Sequence, residues 1–506
     1  MLNTAWTGIG TGWAMLVSLI SLPLMLHGLG TDAFGTWVLL NTFSAMTGWF
    51  SLADIGVGVA ATRAIAGRVS VDDGDGARQV IASAVTLFVV LGVGFGLLFG
   101  TIGPFTLPDL FNTPADLVGP LRVAIVVYAV QVVVDQASNA LQASLDGMQR
   151  IDLSRGADGA RRTLVAIGVT GVALGGGGLE GVAVASLVAS AGGLVVAVLL
   201  MRRVERSWWR TRPQRDHMKG LIRSGRSMAV LKPIGVFHRQ MDRLVVGAIL
   251  GPAAVTLVEI ATQIQNGAET VLGASSYAVL PAASWVRARE DQRLLRELIL
   301  RGTKYSLVIT LPMVVAGMLL AGPIVAVWVG PAQAEAAGLA VLALAYTGIT
   351  APVQVSSNVL VGIGRAPAVL LAAAGAIVIN LVVSIVLVRQ VGICGAFIGT
   401  LLGGIFLVPF LLRAILRETE MTLGEFFRES IRPEIVPLVL LAFTVGAVVV
   451  SPLGNLITLV VAAAAGGLVY LVATLKLAMA PDEVSGLRAA FSRQSPTPSG
   501  PGAGHE

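Results

Sequence analysis

The 506-residue chain is 55% hydrophobic and only 13% charged. This balance excludes a soluble globular protein and is typical of a polytopic membrane protein. The formal net charge of +6 would suggest a nucleic-acid partner in a soluble protein, but here it indicates basic loops that face anionic lipid. The single cysteine, Cys394, allows no intrachain disulfide.

Apolar runs of about 20 residues predict about fourteen transmembrane helices. The first run begins near the N-terminus and continues without interruption, so we interpret it as a retained span rather than a cleaved signal peptide. In chain order the predicted spans are 5–27, 34–57, 79–102, 119–142, 163–178, 181–201, 227–250, 253–280, 305–328, 336–360, 367–388, 393–412, 434–452 and 456–479.

The positions of the basic residues predict the orientation of these spans. If the N-terminus is cytoplasmic, the large majority of the 35 Lys and Arg residues fall in cytoplasmic loops or the C-terminal tail, as the positive-inside rule requires. Loops on the outer side are short and hold no soluble domain. We therefore expect a multi-pass protein of the bacterial cytoplasmic (inner) membrane with both termini in the cytoplasm.

Three short internal matches suggest a duplicated architecture. LGTDAFG (29–35) resembles LGPAAVT (250–256), GMQR (147–150) resembles GIGR (362–365), and GLEGVA (178–183) resembles GICGAF (392–397), all at nearly one offset. An even number of helices per repeat gives two lobes related by an axis along the membrane normal, with a binding site between them. The predicted organisation is an N-lobe at 1–201, a basic cytoplasmic linker at 202–226, a C-lobe at 227–412, two further helices at 413–479 and a disordered cytoplasmic tail at 480–506.

The seventh predicted span contains an unusual set of charged residues. Lys232, Arg239 and Arg243 fall within about 40° on one helix face and extend over ~16 Å. Asp242 in the same span can neutralise one of them, for example Arg239. Cations inside a bilayer need partners, water or an anionic ligand. Snorkelling and ion pairing are the structural alternative, and we favour a cationic cavity wall that binds an anionic substrate.

Other spans carry polar stripes that lipid cannot satisfy. Their Ser, Thr, Asn and Gln side chains are expected mainly to join helices through hydrogen bonds, whereas buried carboxylates can also mark a transport path or an ion-coupling site. The candidates for a polar cavity and ion coupling are Asp54, Asp135, Asp242, Glu259, Gln263, Asn266 and Glu269.

Neither a catalytic motif nor a cofactor motif is evident in the sequence. There is no Walker A loop, and the four histidines lack the spacing of a metal site. We therefore expect a transporter rather than an enzyme, with no cofactor, no metal and no nucleic-acid partner.

Three segments share a further pattern: LGTDAFGTWVLL (29–40), FSLADIGVGVAATRAIA (50–66) and QMDRLVVGAILG (240–251). They resemble bacterial polysaccharide-exporter flippases of the multidrug/oligosaccharidyl-lipid/polysaccharide superfamily, although Thr256 and Val258 replace the glycine and aromatic residue usual in that family. The resemblance implies fourteen helices, two six-helix lobes as in the multidrug (MATE) exporters, and alternating access. It also implies an undecaprenyl-pyrophosphate-linked oligosaccharide as the substrate, moved from the cytoplasmic to the periplasmic leaflet among membrane lipids, with a polysaccharide polymerase or ligase as a further candidate partner.

Three alternatives stay open. A cation-coupled multidrug exporter and a lipid II flippase resemble the same fold, but residues 5–26 hold none of the charges expected in the first helix of either branch. An integral-membrane glycosyltransferase or polymerase is more distant, because such enzymes usually need large outer loops.

Overall fold

A computed structural model describes residues 2–54, 56–225, 231–277, 279–289, 291–479 and 483. Within these residues the chain is helical and contains no strand. The predicted all-α membrane fold is confirmed. The predicted tail at 480–506 lies outside the described residues, apart from Glu483.

The helices of the first half are α1 (Leu2–Leu29), α2 (Thr31–Asn41), α3 (Val57–Val69), α4 (Gly74–Leu110), α5 (Ala115–Gly147), α6 (Ile151–Leu174), α7 (Gly178–Val204) and α8 (Arg215–Gly225). The helices that follow are α9 (Leu231–Leu250), α10 (Pro252–Tyr277), α11 (Val279–Ala288), α12 (Gln292–Leu319), α13 (Ala321–Trp328), α14 (Glu335–Gly362), α15 (Ala366–Val391), α16 (Cys394–Thr419), α17 (Leu423–Phe426), α18 (Arg432–Val450) and α19 (Asn455–Ala473). Short 3-10 segments lie at Trp49–Asp54, Trp208–Arg210 and Pro331–Gln333, and π-helical segments at Phe427–Ile431 and Thr474–Ala478.

Long apolar helices dominate this architecture. In the described part of the chain, 10 helices are long and apolar enough to cross a membrane. The predicted span 227–250 begins outside the described residues, and its described part is helical from Leu231 onward as α9. Helices α6 and α9 carry several charged residues. Their charges are the feature that leads to the candidate site.

The predicted second span, 34–57, is wrong as one continuous helix. It divides into α2, the 3-10 segment Trp49–Asp54 and α3. The Ser44 hydroxyl accepts hydrogen bonds from the backbone N–H groups of Thr47 and Gly48, and this competition with the helical backbone pattern ends α2. The break places Asp54 beside the first turn of α3, where its carboxylate accepts a 2.6 Å hydrogen bond from the Gly58 N–H.

The chain divides into two compact units. The first contains residues 1–267, 325–346 and 366–410, and the second contains 268–324, 347–365 and 411–506. The two lobes predicted from the internal matches stay a prediction. Within the predicted linker 202–226, α7 continues to Val204, and a 3-10 turn precedes the basic helix α8.

Each unit has its own apolar core. In the first, buried side chains of α3, α4, α5 and α7 meet around Ile65, Phe88 and Leu141. In the second, Leu441 and Tyr470 belong to a buried cluster on α18 and α19. Helix α12 also packs against α18. These packed helices hold the polar groups described below at fixed positions.

Candidate functional site

A polar cavity of ≈ 370 Å³ lies within the first unit. Its walls come from α1, α2 and the turn after α2, α6, α9 and α10. The polar lining residues are Ser18, Ser21, Asn41, Thr42, Thr47, Arg161, Arg162, Gln240, Arg243 and Glu259, and the apolar ones include Leu22, Met25, Phe34, Trp37 and Val169. In the described part of the chain this lining therefore carries three guanidinium groups and one carboxylate.

Arg243 on α9 is fixed by a network of acceptors. Its Nε and Nη2 each lie 2.7 Å from Oε2 of Glu259 on α10. Its Nη1 donates to Gln240 Oε1 at 3.0 Å and to the Arg239 carbonyl at 3.2 Å. The two ion-paired side chains are only 13% and 18% exposed. The guanidinium is thus oriented before any ligand arrives, and most of its N–H groups already have acceptors.

Arg161 and Arg162 line the cavity from α6. Nη1 of Arg161 lies 3.6 Å from Oδ1 of the buried Asp135 on α5, and its Nη2 lies 3.7 Å from Asp158. Arg162 donates from Nε to Asp158 Oδ2 at 2.7 Å. Gln131 donates to Asp135 at 3.3 Å. The cavity lining includes both arginines but neither Asp135 nor Asp158 among its described residues.

The predicted cationic stripe on α9 does not form one wall of this cavity. Of its three members, Arg243 lines the cavity, whereas Lys232 and Arg239 are absent from the described lining. Lys232 forms a 2.7 Å ion pair with Asp54, which the break after α2 brings within reach. Arg239 is exposed. Angular spacing alone predicted that the three residues share a helix face. Along α9, however, Lys232 pairs with Asp54 and Arg243 pairs with Glu259, so the residues of the stripe do not share one environment.

Asp242 lies among hydroxyl and amide groups of other helices. It accepts a 2.8 Å hydrogen bond from the Thr400 hydroxyl on α16 and a 3.4 Å contact from Nδ2 of Asn380 on α15. Ser384 donates to Asn380 Oδ1 at 2.7 Å. Asp242 therefore belongs to a polar cluster that offers oxygen atoms of the kind that hard cations prefer. Its expected pairing with Arg239 stays a prediction.

The other predicted cavity residues on α10 are not part of the described cavity lining. Gln263 donates to the Ser18 hydroxyl on α1 at 2.8 Å, and Asn266 lies 3.5 Å from Gln263 Oε1. The hydrogen bond from Gln263 joins α10 to α1. Glu269 belongs to the second unit, and its role stays a prediction.

Arg161 and Arg162 are the site residues that the sequence interpretation missed. A search for apolar runs started the fifth span at 163 and assigned both arginines to a cytoplasmic loop, but α6 begins at Ile151. The first turns of α6 mix apolar and charged residues in IDLSRGADGARR (151–162). Helical periodicity in this segment could have indicated that the helix begins before residue 163. A charged face on such a helix is compatible with a hydrated cavity.

Comparisons with known proteins agree on family and fold. A family model described as "Polysaccharide biosynthesis protein" matches residues 30–337. No curated protein sequence matches the chain. A structure of the lipid II flippase MurJ in an inward closed conformation is similar with a TM-score of 0.72 and 15% identity, covering 92% of this chain and 97% of that chain.

Two transporter structures show a similar fold. An inward-facing multidrug resistance MATE family transporter of the MOP superfamily matches with a TM-score of 0.65 and 20% identity, covering 80% of this chain and 95% of that one. A MOP superfamily transporter from Pyrococcus furiosus, described as having a binding pocket of reverse polarity, matches with a TM-score of 0.57 and 19% identity, covering 83% of this chain and 96% of that one.

Proposed function

Because the chain belongs to the polysaccharide biosynthesis protein family, whose model matches more than half of its length, we propose that it is a lipid-linked oligosaccharide flippase. Its substrate is an undecaprenyl-pyrophosphate-linked oligosaccharide, which it moves from the cytoplasmic to the periplasmic leaflet of the bacterial inner membrane. The observation that carries this proposal is the polar cavity with three arginines inside an otherwise apolar helical protein. Alternating access of two lobes then moves the bound headgroup between the leaflets.

The arginines match the chemistry of a pyrophosphate. A guanidinium presents paired N–H donors in the planar geometry that suits phosphate oxygens, and it stays charged at every physiological pH. Moving the pyrophosphate into a medium of low dielectric is costly, and nearby cations offset that cost more strongly than they would in water. Arg161, Arg162 and Arg243 are therefore the residues that bind the headgroup.

The carboxylates that form ion pairs with these arginines have a different role. Asp135, Asp158 and Glu259 keep the guanidinium groups paired and oriented while the cavity is empty, which reduces the penalty of holding bare cations in a membrane protein. An arriving pyrophosphate competes with Glu259 for Arg243. When the pyrophosphate leaves, the ion pair between Glu259 and Arg243 forms again. This competition limits the affinity for the pyrophosphate and so allows its release.

Asp242 is the proposed coupling residue. Its carboxylate lies among Thr400, Asn380 and Ser384, where a proton or a sodium ion can neutralise it. Binding and release of that cation would reset the carrier after each export step. We further propose that a polysaccharide polymerase or ligase receives the exported substrate.

The test is complementation of a strain that lacks its polysaccharide flippase. Surface polysaccharide is measured for alanine variants at Arg161, Arg162 and Arg243, with membrane abundance measured in parallel. Each lost charge-assisted contact is worth about 1.5–3 kcal/mol, so we expect export to fall at least about tenfold.

Arg155→Ala is the matched control, because Arg155 also lies on α6 and forms an ion pair, with Asp146, but is not in the described lining. Normal export by abundant variants of all three cavity arginines would contradict the proposal. A gain in drug resistance without polysaccharide export would favour a multidrug exporter instead.

A further inference from the structure

A second polar site lies in the second unit, where α18 and α19 pack with α12. It begins with a proline in α12. Pro312 has no N–H, so the carbonyl of Val308, four residues earlier, has lost its usual helical donor. The hydroxyl of Tyr470 on α19 supplies the missing hydrogen bond at 2.8 Å. A buried carbonyl without a donor is costly, and this contact satisfies it.

The same hydroxyl lies 2.7 Å from Oε2 of Glu434 on α18. Glu434 is 0% exposed. A tyrosine hydroxyl has only one hydrogen to donate. With that hydrogen on the Val308 carbonyl, the contact to Glu434 is a hydrogen bond only if the carboxyl group itself is protonated and donates to the tyrosine oxygen.

No ion pair of Glu434 replaces this proton in the described part of the chain. Within the described residues, no cation lies at ion-pair distance from Glu434, and its Oε1 has no hydrogen-bond partner. Lys304 on α12 is paired with Glu483 at 2.6 Å. On the adjoining π segments and at the start of α18, the charged residues are exposed: Arg428, Glu429, Arg432 and Lys476.

We propose that Glu434 is a proton-binding site that fastens α18 and α19 to α12. The bound proton joins the carboxyl of Glu434 to the Tyr470 oxygen, while the hydrogen of Tyr470 remains on Val308. When Glu434 releases its proton to water, the carboxylate becomes an acceptor, and Tyr470 must turn its hydrogen from Val308 to Glu434. Deprotonation therefore leaves a carbonyl of α12 without a donor and loosens the packing of the two C-terminal helices.

This site is separate from the arginine cavity and does not depend on the proposed function. Its direct test is infrared difference spectroscopy of the full-length protein in lipid nanodiscs during a pH titration. We expect the carbonyl stretch of a protonated carboxylic acid at neutral pH, absent in Glu434→Gln. It should persist in Glu429→Gln, the matched control with an exposed glutamate in the preceding π segment. A neutral-pH spectrum in which Glu434→Gln removes no such band would overturn the proposal.

A second measurement follows the consequence for packing. The folded state holds a proton that an unfolded glutamate has lost at neutral pH, so stability falls as pH rises, by up to about tenfold in the unfolding equilibrium per pH unit. We expect the thermal transition of the wild-type protein to decrease with rising pH. The transition of Glu434→Gln should depend less on pH, because an amide can donate to Tyr470 permanently. Equal pH dependence in both proteins would contradict the fastening role.

Discussion

Substitution of Glu259 by glutamine should strengthen the binding of a pyrophosphate headgroup. In the wild-type cavity, Oε2 of Glu259 lies 2.7 Å from both Nε and Nη2 of Arg243. A ligand phosphate must therefore approach a guanidinium that is already paired. Glutamine keeps an oxygen that accepts a hydrogen bond but removes the negative charge, so the guanidinium stays oriented and its charge becomes available to the ligand.

The magnitude follows from the geometry. A phosphate on the far side of the Arg243 guanidinium lies about 8 Å from Glu259, and repulsion between two unit charges at that distance is about 2 kcal/mol at an effective dielectric of about 20. Removing this repulsion corresponds to roughly 30-fold tighter binding. Screening by water in the cavity lowers the value, and we expect a gain of about 10-fold to 30-fold.

The assay is calorimetric titration of purified protein in detergent with farnesyl pyrophosphate, a short polyprenyl pyrophosphate. Glu180→Gln is the matched control, because Glu180 is exposed on α7 and its charge is not part of the cavity lining. The double variant Glu259→Gln/Arg243→Ala should lose the gain. Unchanged or weaker binding by a well-folded Glu259→Gln protein, or a gain that persists without Arg243, would refute the reasoning.

Three further predictions concern topology, the stripe on α9 and coupling. In a Cys394→Ser background, single cysteines at Thr113 and Gln333 should be labelled from outside the membrane. Single cysteines at Arg210 and Gln292 should be labelled from inside. Labelling from inside at Thr113 would contradict the orientation. A double-mutant cycle on Lys232 and Asp54, whose side chains are 34% and 17% exposed, should give a coupling of only about 1 kcal/mol in thermal stability, and about 3 kcal/mol or more would indicate a tighter site. Asp242→Asn should abolish the dependence of transport on its coupling cation, and an unaltered dependence would exclude Asp242 from that role.

Apolar runs located most helices correctly because a bilayer imposes a length and a composition on every spanning segment. The same criterion failed where polar groups belong to the helix. Arg161 and Arg162 lie on α6, yet the apolar search started the helix after them, at residue 163. It also joined α2 and α3, because the local hydrogen bonds of Ser44 that end α2 leave no trace in hydropathy.

Angular spacing located the face of α9 but not the environment of each residue on it. Lys232 meets Asp54, and Arg243 meets Glu259. These partners come from segments distant in the sequence, so a helical wheel contains no information about them. The candidate Asp135 was found as a buried carboxylate, but its partner Arg161 was assigned to a loop. The ion-pair partners of the site residues therefore could not be predicted from the spacing of residues within a single helix.

The buried and half-buried carboxylates described above divide according to what neutralises them. Asp54, Asp135 and Glu259 each have a basic partner, so their charges are balanced within the protein and need no external ion. In the described residues, Glu434 contacts a tyrosine hydroxyl, and the contacts of Asp242 are with a hydroxyl and an amide. Such groups donate hydrogen bonds but carry no charge, and in a membrane protein a carboxylate with only these partners is costly unless it binds a cation or a proton. These two carboxyl groups, whose hydrogen-bond partners are neutral, are therefore the ones at which we propose that an exchangeable ion acts: Asp242 within the first unit and Glu434 within the second.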